Sequence, residues 1–495
     1  MTTANSTAST ILRSVKQSGW LKEANFIGGR WSGARDGATL SVEDPATATA
    51  IGTIAWSGAA EAREAIAAAH AAFGSWSLTT AAQRAALLQR MAGIVRDNVE
   101  ILAGMLTLEQ GKPLAEARAE MLLGADYIQW FAEEARRING EIVPSPWKDR
   151  QILVTREPVG VVGAISPWNF PVFHAVAQDR ACPRGRLHDR HQALRVHALL
   201  RPVYAVLAEK AGVPDGVVNV VTGDGAAVGG EMTANPLVRK ITFTGSTRVG
   251  KLLYKQSAET MKKLSMELGG NAPTIVFDDA DLDLAVETAV AGKFRNSGQT
   301  CVCTNRFYVQ DGIYDAFARR LVERIRQMKV GNGFDDGVEQ GPLINQAAVT
   351  KVELHVQDAQ AKGGRVLLGG KRHALGGTFY EPTVIADATA DMLIAHEETF
   401  GPVAALFRFK EEQEGIDAAN STQFGLAAYF YTRDLARTFR VARALQSGMI
   451  GINAGVITTV EAPFGGVKDS GIGREGSAHG IDEYLNLKYV SLGGL

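Results

Sequence analysis

Short apolar runs alternating with amphipathic helical stretches constrain this chain more than any other feature. Val159-Gly160-Val161-Val162-Gly163-Ala164-Ile165, Gly216-Val217-Val218-Asn219-Val220-Val221 and Lys240-Ile241-Thr242-Phe243-Thr244 have the length and composition of strands buried on both faces. Each leads through a turn into a helical segment, and strand, helix, strand in alternation predicts an α/β fold with a parallel, doubly wound sheet. The pattern then repeats. Strands at 273–277, 306–309, 366–369, 383–385 and 403–409, with helices at 282–294 and 314–328, predict a second α/β domain.

The flanking segments differ in character. Residues 25–31 and 39–54 alternate apolar and polar residues around Gly28-Gly29 and Asp44-Pro45, as small strands joined by turns do. Apolar residues three and four apart predict helices over 59–73, 81–110 and 114–139, with Gly111-Lys112-Pro113 stopping the second; Trp130-Phe131 reads as core packing. Strand-like pieces at 142–144 and 151–154 flank Pro146-Trp147-Lys148-Asp149 as a hairpin arm. The tail, 484–495, is strand-like and suited to pair with that arm, within the subunit or across an interface. The expected units are therefore a dinucleotide-binding domain of residues 1–136 and 157–266, a catalytic domain of 267–455, and an oligomerisation arm of 137–156 with 456–495.

Composition limits the function classes. With 495 residues, 46% hydrophobic, and a formal charge of -1, the chain suits a soluble protein of two or three domains with small-molecule ligands. It offers no basic field for nucleic acid. Three cysteines, two of them spaced C-x-C, make neither a disulfide framework nor a zinc site, so a reducing compartment and no metal are expected. The start is polar without an apolar signal core, and no run approaches the roughly 18 apolar residues of a membrane span, which predicts a cytoplasmic protein.

Four short stretches carry chemistry-bearing side chains. Cys301 follows Ser297-Gly298-Gln299-Thr300, a polar glycine turn where backbone amides can converge on an anion; it reads as a nucleophile or as a buried structural thiol. Thr244-Gly245-Ser246-Thr247-Arg248-Val249-Gly250 ends a strand and opens a helix, which suits either a pyrophosphate or a simple helix cap. Glu267 stands before Leu268-Gly269-Gly270 in apolar surroundings that raise a carboxylate pKa toward general-base range; a surface glutamate is the other reading. Glu398-Thr399-Phe400 sets a carboxylate beside a ring, suited to hydroxyls and a flat heterocycle.

Taken together, Pro167-Trp168-Asn169-Phe170-Pro171, Phe243-Thr244-Gly245-Ser246, Glu267-Leu268-Gly269-Gly270, Gly298-Gln299-Thr300-Cys301, Glu398-Thr399-Phe400-Gly401-Pro402 and Pro463-Phe464-Gly465-Gly466 come in a telling order. From about residue 26 onward the chain resembles the NAD(P)-dependent aldehyde dehydrogenase superfamily, and GQTCVCTNR with the 460–468 and 473–485 stretches is most similar to its succinate-semialdehyde dehydrogenases. The resemblance implies that the Cys301 thiolate attacks the aldehyde, that Asn169 and the Cys301 amide hold the oxyanion, and that Glu267 activates the hydrolytic water. It implies NAD or NADP bound by Ser166, Trp168, Gly245 and Ser246, with the nicotinamide ribose on Glu398 and Phe400. Arg295 falls where the family group pairs the substrate's distal carboxylate, with Thr458 nearby, and Cys303 where a reversible disulfide to Cys301 is expected. A homodimer or homotetramer acting on a small carboxylated aldehyde follows. Glutarate semialdehyde or an uncharged aldehyde is the alternative substrate, and a catalytically silent binding or oligomer subunit the alternative class.

One segment departs from the family. Residues 174–202 carry Arg180, Arg184, Arg186, Arg190, Arg195 and Arg201 with His188, His191 and His197, where an apolar strand ending in a lysine-proline turn is expected. One permitted back-translation of 185–195, read from its second base, gives AGCTIVIKPS and the start of a glutamate codon: the missing strand and turn. We read the segment as the product of two compensating frameshifts, in the gene or in its sequencing. The shifted glutamate would favour NAD by bonding the ribose hydroxyls. The sequencing origin predicts an intact mass that departs from that of the literal chain, and a mass matching the literal chain contradicts it.

Overall fold

The computed structural model of the protein describes residues 3–171, 186–188 and 199–495. A five-stranded sheet runs in the order Gly471–Ile472, Lys263–Glu267, Val238–Thr244, Val161–Ile165, Arg186–His188. All but the first strand are parallel. Thr244 and Glu267 are register partners at the carboxyl ends of their strands, so the turn carrying Ser246 and the Glu267 carboxylate open on one crevice, where α/β sheets bind ligands.

The second sheet has seven strands. Ala272–Val276 and Thr304–Gln310 lie parallel at its centre, flanked by Val403–Phe409 and Ala427–Tyr431. Residues 268–271 alone separate the end of Lys263–Glu267 from the start of Ala272–Val276. The chain thus passes directly from one sheet to the other, and the carboxyl ends of the first face the amino ends of the second. Cys301 precedes Thr304–Gln310 and therefore stands at that junction. The third sheet is antiparallel, with Arg150–Pro158 between Leu485–Gly493 and Glu141–Val143, so the tail meets the arm within one subunit.

Most elements fall where the sequence puts them, and the departures have local causes. The polar start is helical over Thr3–Gln17. The long helix expected over 81–110 breaks into Ala81–Asp97 and Val99–Gln110 at Asn98. There the Asn98 side chain donates to the Ile94 carbonyl and accepts from Trp20 Nε1, competing with the helix ladder. The next helix ends at Glu134 instead of continuing to 139. Residues 216–221 are not a strand of the five-stranded sheet among the described residues; Val220 makes an isolated antiparallel bridge to Phe26. Asn219 explains this, because its Oδ1 accepts from Gly28 N at 2.8 Å and its Nδ2 donates to Gly216 O at 2.7 Å, diverting local hydrogen bonding to a turn.

The atypical 174–202 segment lies largely outside the described residues. The backbone of Arg186–His188 pairs in parallel with Val162, Gly163 and Ala164, in the place of a sheet strand. Beyond the gap, the amides of Leu199 and Leu200 donate to the Glu109 carboxylate at 2.7 and 3.0 Å. Among the described residues no helix is long and apolar enough to cross a membrane.

Candidate active site

The nucleophile turn is built from backbone that few side chains tolerate. Asn296 (φ 50°), Ser297 (φ 57°) and Gly298 (φ 72°) are consecutive left-handed residues between helix Leu282–Phe294 and Cys301. Asparagine tolerates this conformation and glycine adopts it freely. A side chain at Gly298 would come within 2.2 Å of the Gly401 carbonyl, so this position also requires glycine for space. The turn is tied down by Ser297 Oγ donating to Gly341 O at 2.9 Å, and by Gln299 Oε1 accepting from Ile344 N at 2.9 Å.

Cys301 lines a cleft of about 390 Å³. Trp168, Asn169, Gly245, Ser246, Glu267, Glu398 and Phe400 line the same cleft, so residues spread over the whole chain converge on it. Both glycines after Glu267 are explained by contact: a side chain at Gly269 would meet Glu398 Oε2 at 3.1 Å, and one at Gly270 the Cys301 carbonyl at 2.7 Å. Gly465 is similarly pressed against Glu267, with 2.7 Å between a built Cβ and Oε1. The glycine motifs are therefore the spaces through which the two sheets approach.

Electrostatics separate the roles. Enclosure pushes the Cys301 thiol up, and the carboxylates of Glu398 and Glu267 add to it, so the resting sulfur carries its proton and needs a base. Burial raises Glu267 well above the ordinary carboxylate range, with Glu475 reinforcing the shift and Arg474 opposing it. Its Oε2 has no hydrogen-bond partner among the described residues, the state of a group left open to water or substrate. Burial also raises Glu398, to about 7, against the pull of Lys351 and a 3.2 Å hydrogen bond from Gly270 N.

The cofactor half of the cleft fits a dinucleotide. Ser246 is the N-cap of helix Thr247–Ser257 yet makes no side-chain capping bond, so its hydroxyl and the helix amides remain for an anion. A side chain at Gly245 would strike the Phe243 ring at 2.6 Å. Trp168 and Phe400 meet edge to face, ring centroids 5.4 Å apart, giving a flat ring an aromatic wall. Ser166 is buried and is not among the described residues that line the cleft; its Oγ has no hydrogen-bond partner among the described residues.

Arg295 and Thr458 lie outside the main cleft, together in a smaller hollow lined by Thr300, Val302 and Tyr429. The Arg295 guanidinium sits 4.8 Å from the Phe170 ring centre, a cation–π contact that holds its plane. Cys303 is buried, donating from Sγ to Gly298 O at 3.2 Å with Lys293 Nζ at 3.7 Å; reaching Cys301 would require breaking that bond. Sequence reasoning did not single out Lys351, Glu475, Tyr429 or Lys112. All four belong to ordinary helix, loop or strand patterns, and only Lys112, between a glycine and a proline at a helix corner, carried a local signal.

A thiol, an unpartnered carboxylate and an amide donor beside a dinucleotide crevice define a cysteine-dependent, nucleotide-linked oxidoreductase. The chain belongs to the aldehyde dehydrogenase family, whose profile matches residues 31–490, and it oxidises aldehydes with NAD or NADP. It is 53% identical to the 3-sulfolactaldehyde dehydrogenase of Pseudomonas putida over 97% of this chain and 99% of that protein. It is 50% identical to a glutarate-semialdehyde dehydrogenase of Pseudomonas aeruginosa over 97% of this chain and 100% of that protein. The crystal structure of a succinate-semialdehyde dehydrogenase from Burkholderia pseudomallei superposes with a TM-score of 0.94 at 52% identity, covering 96% of this chain and 98% of that one.

Because burial holds the thiol protonated and the neighbouring Glu398 charge adds to it, Glu398→Gln is expected to move the iodoacetamide alkylation profile of Cys301 to lower pH. Peptide mass spectrometry across a pH series measures it, with Cys301→Ala as the control. An unmoved profile would contradict the electrostatic account.

Proposed function

We propose that the protein oxidises short aldehydes bearing a distal anion, succinate semialdehyde foremost, through a thioester on Cys301. The observation that carries this reading is the Arg295 and Thr458 hollow beside the nucleophile, bounded by the residues that flank Cys301 in sequence. A guanidinium suits a carboxylate or sulfonate in two-pronged contact. The relatives named for sulfolactaldehyde, glutarate semialdehyde and succinate semialdehyde share that chemistry: an aldehyde at one end and a fixed anion at the other.

In the mechanism Glu267 takes the thiol proton and Cys301 Sγ attacks the aldehyde carbon. Asn169 Nδ2 donates one hydrogen to Gln299 O at 3.1 Å, which leaves its second hydrogen, with the Cys301 amide, for the oxyanion. Bound NAD or NADP supplies the hydride acceptor. Gly245 and Ser246 would hold the cofactor's pyrophosphate, Glu398, ionised above about pH 7, would accept from its nicotinamide ribose, and Trp168 and Phe400 would flank its ring. Glu267 gives the thiol proton up to solvent, then draws a proton from water, and the resulting hydroxide cleaves the thioester to the acid with Cys301 leaving as the thiolate.

The dinucleotide belongs in this reading to the unit of residues 1–136 and 157–266, and the aldehyde chemistry to 267–455. Self-association as a dimer or tetramer falls to the arm of 137–156 with 456–495. Exposed Ile142, Trp147, Leu487 and Tyr489 on or beside the arm sheet support the last assignment, since apolar surface of this kind marks contact sites. A cytoplasmic setting fits the free thiols of Cys301 and Cys303.

Arg295→Ala is expected to raise KM for succinate semialdehyde by about ten- to a hundredfold, the worth of charge-assisted hydrogen bonds, and to spare an uncharged aldehyde of equal length. Steady-state NADH formation with the two substrates measures it. Equal losses on both would contradict the anion reading.

A further inference from the structure

The turn between helices Val99–Gln110 and Leu114–Glu134 lies across the molecule's sequence from both catalytic loops, yet its polar side chains end on them. Lys112 is fully buried, and so is its partner Glu120, with Nζ 2.5 Å from Oε2. The same ammonium donates to the Asn169 carbonyl at 2.9 Å and rests 4.0 Å from the Phe170 ring centre. Asn296 Nδ2 reaches that carbonyl too, at 3.3 Å. Gln110 Nε2 donates to Asn296 Oδ1 at 2.6 Å, and Glu116 Oε2 accepts from Asn296 N at 2.8 Å. One helix corner thus grips the amide-donor loop at Asn169 and the left-handed nucleophile turn at Asn296.

Stability is a weak reason for such an arrangement. Burial lowers the Lys112 pKa against the opposing pull of Glu120, and a buried ion pair is often replaced by apolar residues without loss of stability. Geometry is a better one. The Asn169 and Asn296 loops come from different sheets, and among the described residues no strand register links them; they are joined by Asn169 Nδ2 donating to Gln299 O and by the bonds that Lys112 and Asn296 both make to the Asn169 carbonyl.

We infer that Lys112, held by Glu120, is a positioning residue that sets the Asn169 amide against the oxyanion formed at Cys301. The inference rests on the roles given to Asn169 and Cys301 above. Lys112 touches neither substrate nor cofactor in this account and acts only through Asn169. Its loss therefore costs what misplacing that donor costs.

The test is acylation of Cys301 by p-nitrophenyl acetate, which passes through the same oxyanion and needs no cofactor. Rates of p-nitrophenolate release are compared for the parent chain, Asn169→Ala, Lys112→Met and the double variant. Each single change is expected to slow acylation by about ten- to a thousandfold, the range for losing or misplacing one oxyanion donor. The double variant is expected to be no slower than the slower single, because the two residues act as one. Glu120→Gln, which keeps the side-chain volume, is carried through the same cycle and covers a Lys112→Met chain that fails to fold. Losses that multiply, or a Lys112 or Glu120 variant as fast as the parent, overturn the inference. Asn169→Ala acylating at the parent rate overturns instead the role of Asn169 on which it rests.

Discussion

The site depends on one strained piece of backbone, the left-handed run of Asn296, Ser297 and Gly298. A left-handed residue with a side chain costs about 1–2 kcal/mol, so the run persists only where its surroundings over-determine it. Here they do. Asn296 is bonded through its amide nitrogen, its side-chain oxygen and its side-chain nitrogen; Ser297 is bonded to Gly341, and Gly298 is pressed against Gly401. The turn ends the helix Leu282–Phe294 abruptly and presents Cys301 to the cleft before the chain re-enters the sheet at Thr304.

Around that turn the fold places charge where it is expensive. Glu267 and Glu398 are carboxylates at the seam of two sheets, and both are raised by burial. A raised carboxylate holds its proton near neutrality and can exchange it with a thiol or water at little cost. The seam exists because residues 268–271 join the sheets directly, and Gly269 and Gly270 let Glu398 and the Cys301 backbone come close. Packing and acid–base chemistry therefore have one origin, the short glycine link.

Much of this was legible in the chain. The strand runs ending at Ile165, Thr244 and Phe409 announce themselves by apolar content, and the helix 282–294 matches residue for residue. The motifs holding Cys301, Glu267 and Glu398 marked themselves by glycine and polarity, and the structure gathers them in one cleft. What stayed hidden was decided by tertiary contacts. Asn98 looked like one more polar helical residue until Trp20 packed on it, and Asn219 looked like a strand residue until Gly28 claimed its oxygen. Lys112 and Glu120 were invisible as a pair because nothing in their spacing says that the loop of Asn169 will lie above them. Ser166, placed with the cofactor by its motif, is buried at the end of the strand Val161–Ile165, and the cleft is lined by its neighbours Pro167 and Trp168.

The central claim is that aldehyde carbon becomes covalently bound to Cys301 and is released by Glu267. Glu267→Gln, mixed with succinate semialdehyde and NAD at a raised pH where the Cys301 thiol ionises without its base, and quenched in acid, is the direct measurement by peptide mass spectrometry. The account predicts that the peptide containing Cys301 gains one succinyl group, alkali-labile as a thioester is, and that Cys303 remains free. An unmodified Cys301 in an enzyme that still forms NADH would contradict it.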